Sequence, residues 1–88
     1  SQVLDYKMIV YGEMYGWQNY EKFTKAFEEG ISTQFTFQND GVSDVEQSTY
    51  VIAALSASFD KDFRQDFRDL NFPIDEILYQ EVYQKIKG

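Results

Sequence analysis

The chain of 88 residues contains no cysteine and no histidine. Without cysteine there are no disulfides, no thiolate nucleophile and no cysteine-ligated metal. Without histidine, Ser-His-Asp and Cys-His catalysis and imidazole ligation are excluded as well. Carboxylates, lysine, tyrosine and hydroxyls are the groups left for chemistry. Proline occurs once, at Pro73, and no apolar run approaches the ~20 residues that a membrane-crossing helix needs. The first residues, with Asp5 and only Lys7 nearby, lack the basic and apolar regions of a signal peptide, so the cytoplasm is the expected compartment. Positive charge is scarce: 8 Lys and Arg stand against 15 Asp and Glu, a net charge of −7. Direct binding to nucleic acid is not expected of such a chain, because phosphate contacts need a basic patch that releases counterions. A protein with a basic surface is the partner that this charge attracts.

Aromatic rings are what the chain has in quantity: 8 Phe, 7 Tyr and 1 Trp. They supply enough buried area for residues 1–88 to form a single domain without cross-links. Ser48 to Ser58 lies within the longest stretch without a charge. Wound as a helix it has apolar residues on every side, and a chain this short offers little to wrap it. As a strand it places Val51, Ala53, Leu55, Ala57 and Phe59 on one face, which favours a central strand. The Ser43-x-x-Glu46 spacing of a capping box is the opposing signal.

Around that stretch, Leu4, Tyr6, Met8 and Val10 alternate with polar residues and read as a first strand. Residues 17–29 read as an amphipathic helix closed by Gly30, and Ile31 to Gln38 as a strand turned by Asn39-Asp40-Gly41. Phe59, Phe63, Phe67 and Leu70 share one face of a helix over 59–70 capped by Ser58. Pro73 opens a last helix with Ile74, Leu78, Val82 and Ile86 turned inward. The expected fold is α+β, in the order β-α-β-β-α-α. It has a three-stranded, mainly antiparallel sheet of order 1-3-2 with the helices packed on one face. In element order alone this resembles a ferredoxin-type β-α-β half followed by helices.

Cofactor and metal motifs fail on inspection. Gly12 and Gly16 are not followed by the Lys-Ser/Thr of a phosphate loop, and an EF-hand centred on Gly41 would need acids where Thr36, Gln38 and Gln47 stand. No catalytic residue, cofactor or metal is expected. The candidate contacts are of three kinds. Asp62, Asp66 and Asp69 fall on one flank of the 59–70 helix, and Asp40, Asp44 and Glu46 form a second acidic pole in residues 31–58, which hold no Lys or Arg. Met14 and Tyr15 lie between two glycines in an expected recognition loop, where Trp17 reads as a cap on the core beside Tyr20. Tyr79 and Tyr83 widen the apolar arc of the last helix and suggest a homodimer surface.

The function expected is therefore a non-catalytic, acidic protein-binding module, an inhibitor that imitates the phosphate track of a duplex and occupies a basic, nucleic-acid-binding site on a larger protein. In composition it resembles the small acidic inhibitors of mobile genetic elements. The alternatives are a homo-oligomeric accessory subunit, and a small ligand binder or enzyme using Tyr11, Glu13 and Tyr15.

Overall fold

In a computed structural model, residues 2–28 and 45–88 are described. They form helix α1 (Gln2–Tyr15), a 3₁₀ turn (Trp17–Asn19) and helices α2 (Tyr20–Glu28), α3 (Val45–Phe59), α4 (Arg64–Arg68) and α5 (Glu76–Lys87). No strand occurs among the described residues, so the α+β expectation and its three-stranded sheet are wrong. The expected strand over 31–38 and its turn at Asp40 lie outside the described residues.

The first correction concerns residues 3–11, which wind as α1 and do not alternate across a sheet. Leu4, Met8, Tyr11 and Tyr15 are spaced for one helical face, and Leu4 and Tyr11 are buried while Met8 packs against the core. The alternation was misleading because the opposite side of the helix is apolar too. Gly16, at φ +110°, ends α1, and Asn19 Nδ2 donates to the free carbonyls of Tyr15 (3.1 Å) and Gly16 (3.0 Å). Gly12 is required for a different reason. A Cβ there would stand 2.7 Å from the Trp17 indole, so the ring lies directly on the backbone of α1.

The second correction is α3, the charge-free stretch, which is a helix buried on nearly every side. Its girth explains how a short chain encloses it. Ser48, Ala53, Ala54, Ser56, Ala57 and Ser58 are small, so neighbouring elements close over it without large side chains to accommodate. Two of its buried hydroxyls are used as joints. Thr49 Oγ1 donates to the Val45 carbonyl at 2.6 Å and accepts the Asp75 N–H at 2.9 Å, and Ser56 Oγ accepts the Phe63 N–H at 3.1 Å.

Helix α5 packs along α3 and runs parallel to it: the Thr49–Asp75 bond joins their starts, and an ion pair between Asp60 and Lys87 joins their ends. Asp75 caps α5 by accepting the N–H groups of Ile77 (3.0 Å) and Leu78 (3.1 Å). Between the two helices, Asp60 takes a positive φ of 53° and stops α3 at Phe59. The single helix expected over 59–70 is thereby divided, and only Arg64–Arg68 is α-helical. The apolar face expected of it survives: Phe59, Phe63 and Phe67 are all buried. They form one cluster with Tyr11, whose ring stacks on Phe63 at 3.9 Å and 6°.

Candidate protein-binding surface

Helix α1 is apolar on both sides, and only one side has a partner among the described residues. On its outer side Val3 (43% exposed), Tyr6 (67%), Ile9 (53%) and Met14 (63%) stand open, with half-buried Val10 among them. Side chains of these sizes, open to this extent, amount to on the order of 400 Å² of apolar surface, the size at which a patch on a monomer is often functional. Glu13 lies within the face and Lys7 at its edge, where it sits 5.8 Å from the Tyr11 ring.

Beside this face is a groove of about 600 Å³ along α2, lined by Trp17, Tyr20, Glu21, Thr24, Lys25 and Glu28. Its aromatic corner is fixed. Tyr20 packs edge-on to Phe59 (4.9 Å) and Phe23 (5.9 Å), and its hydroxyl donates to the Met8 carbonyl. Burial pushes the Tyr20 hydroxyl up to about 12. Trp17 is 5.8 Å from Tyr20 at 43° and remains 52% exposed, so it does not cap the core as its sequence neighbours suggest.

The acidic flank is held by donors of the same chain. Arg64 grips Asp62 through Nε (2.9 Å), Nη2 (2.7 Å) and its own backbone N–H (3.0 Å). Hydrogen bonding from Arg64 is the main reason that the Asp62 carboxyl falls to about 2, against an opposing effect of burial. Arg64 Nη1 also reaches Glu76 Oε2 at 2.8 Å, and Arg68 pairs with the other oxygen of Glu76. Asp66 accepts the Tyr11 hydroxyl, and Asp69 accepts from Gln65 Nε2 at 2.8 Å. The cleft of about 190 Å³ between Asp62, Arg64, Tyr79, Gln80 and Tyr83 is thus bounded by charges already paired.

The other expected contacts are dispersed. Glu46 is exposed in the first turn of α3, while Asp40 and Asp44 lie outside the described residues. Met14 and Tyr15 belong to the last turn of α1 and not to a loop. Met14 is on the open face, whereas Tyr15 leans on Phe59 and Phe63 beneath Lys61, whose ammonium is 4.5 Å from its ring. Tyr79 is buried, with Arg64 4.4 Å from its ring, and stacks on half-buried Tyr83, so little of the proposed tyrosine dimer surface is open. Tyr11 and Glu13 do not converge: Tyr11 is in the core with its hydroxyl committed to Asp66, and Glu13 faces outward. Val3, Tyr6, Ile9 and the open Trp17 were not anticipated. The signal for them was present, since read at 100° per residue the segment 3–14 has apolar groups on both sides.

Comparison with family models, curated proteins and solved structures gives no match. Among the described residues no helix is long and apolar enough to cross a membrane, and no three acidic side chains meet in a way that would hold a metal ion.

Proposed function

We propose that the chain is a non-catalytic protein-binding module that docks on another protein through the outer face of α1, its net negative charge directing it to a partner with a basic surface. The supporting observation is the open row Val3, Tyr6, Ile9 and Met14 on a helix whose opposite side is already committed to the core. A protein interface supplies the apolar cover that such a face lacks among the described residues. The charge of −7 raises the encounter rate with a basic surface, and acts at long range whether or not individual acids are paired locally. Inhibition of a nucleic-acid-binding protein by occupying its basic site fits this reading. Here the apolar face gives the grip and the acids give the direction.

Self-association through the same face is the second reading, favoured by its poverty in charge. Capture from a native lysate tests the first. Wild type and an Ile77→Lys control are expected to retain the same partner, and a Tyr6→Lys/Ile9→Lys double variant to lose it. Retention by the double variant would remove α1 as the contact. Light scattering that shows a dimer dissolved by the same double variant would assign the face to a second copy.

A further inference from the structure

Four tyrosines of this chain hold one of its own cations against the ring: Lys7 on Tyr11, Lys61 on Tyr15, Arg64 on Tyr79 and Lys87 on Tyr83. Trp17, the ring type that holds a cation best, has none among the described residues, although half of its surface is open. It stands at one end of the α2 groove, and Glu21 and Glu28 stand one turn and three turns further along the same side of the helix. An open indole fixed against Tyr20, with the Glu21 carboxylate one turn further on, matches the delocalised charge and planar face of a guanidinium. Lys25 lies in the groove between the two acids, leaving it with one net negative charge. Trp17 also rests on Gly12, which neighbours Ile9 on the surface of α1, so the groove begins where the apolar face ends.

From this we infer that the groove is a receptor for arginine side chains of the partner, whose apolar residues cover α1 while one guanidinium stacks on Trp17 and pairs with Glu21 and a second, two turns further on, pairs with Glu28. This rests on the reading of α1 as a protein contact and adds the chemistry that the partner must present. An arginine is preferred to a lysine because only its planar head both stacks on the indole and donates in two directions.

Trp17 is the only tryptophan in the chain, so its fluorescence reports the groove directly. The probe is a short amphipathic helical peptide with leucines on one face and arginines on the adjoining flank, compared with the same peptide carrying citrulline, which keeps the shape and removes the charge. The full chain is expected to give a saturable change in Trp17 emission with the arginine peptide. Binding should be roughly fivefold weaker or more with citrulline. Glu21→Gln/Glu28→Gln should weaken the arginine peptide to a similar degree, and Lys25→Gln should strengthen it, with circular dichroism unchanged in each variant. Equal affinity for the two peptides, or indifference to the two glutamates, would overturn the inference. If both peptides then still bind and Tyr6→Lys/Ile9→Lys abolishes them, the α1 reading stands without the groove. If neither binds, the groove is refuted, and the α1 reading is decided by the lysate capture.

Discussion

The Tyr11 hydroxyl of α1 donates to Asp66 Oδ2 of α4 at 2.8 Å, joining elements 55 positions apart. The bond is asymmetric: Tyr11 is buried and Asp66 exposed. Asp66→Ala therefore leaves a buried hydroxyl without its acceptor, at a cost of about 1–3 kcal/mol. Tyr11→Phe only returns a carboxylate to water and should cost about 1 kcal/mol. Urea unfolding of both single variants and the double variant checks this. The double variant is expected to cost less than the sum.

The same burial sets the alkaline limit of stability. Tyr11 is raised far above the ordinary tyrosine value by burial first and by Asp66 second, and Tyr20 is pushed up to about 12 by burial. Unfolded tyrosines ionise near about 10, so above that pH the unfolded state binds fewer protons than the folded one. Stability from both rings is fully present below pH 10 and is lost as pH rises toward 12 and beyond. Tyrosinate absorbance should show three late-titrating rings, because burial raises Tyr79 as well, and Tyr11→Phe should remove the last of them.

At the acid end the sign reverses. Asp62 is depressed to about 2 by Arg64, so its contribution is present above the ordinary carboxylate range and lost as pH falls from about 4 to about 2. Asp62→Asn should flatten that limb of a stability-against-pH curve. An unchanged limb would show that the Arg64 grip does not persist in solution.

Helix α3 depends on small residues. Ala53→Leu inserts bulk where nothing is exposed and should cost roughly 1–3 kcal/mol or more. Ser56→Ala should cost about 1–3 kcal/mol, because the Phe63 N–H loses its buried acceptor. Chemical denaturation followed by circular dichroism measures both.

Much of the core was legible in the sequence, and the element types of α1 and α3 were not. Phe59, Phe63, Phe67, Val82 and Ile86 were recognisable as core because each recurs at helical spacing among charges. Val3 to Tyr11 carried two periods at once: the strand period came from Leu4, Tyr6, Met8 and Val10, and the helical one from Leu4, Met8, Tyr11 and Tyr15. No local rule chooses between them, and the aromatic cluster under α1 decides. In α3 the absence of a polar face favours a strand over a helix, yet the alanines and serines are the feature that lets a helix be enclosed. The Asp62 flank was visible as a row of acids, but the hold of Arg64 on it depends on α4 being a single short turn of helix. Trp17 reads as core in the sequence because no sequence pattern shows a ring lying over Gly12 with one face left open.

Two turns end on residues with positive φ, Asp60 at 53° and Asn71 at 66°. At Asn71 the Phe72 N–H returns to the Phe67 carbonyl at 2.9 Å and the two rings meet at 5.2 Å, a helix stop closed by an apolar contact. Asn71→Gly should be neutral or stabilise slightly. Asn71→Val should destabilise by about 1–2 kcal/mol, measured by thermal unfolding.

Photo-cross-linking tests the role of α1 most directly. With a benzophenone amino acid at position 6, cross-links to a partner protein are expected in cells. The same group at position 77, which is 76% exposed but lies on α5, should give none. Cross-links from position 77 or from Asp69 on the acidic flank, with none from position 6, would contradict the assignment of the outer face of α1 as the contact.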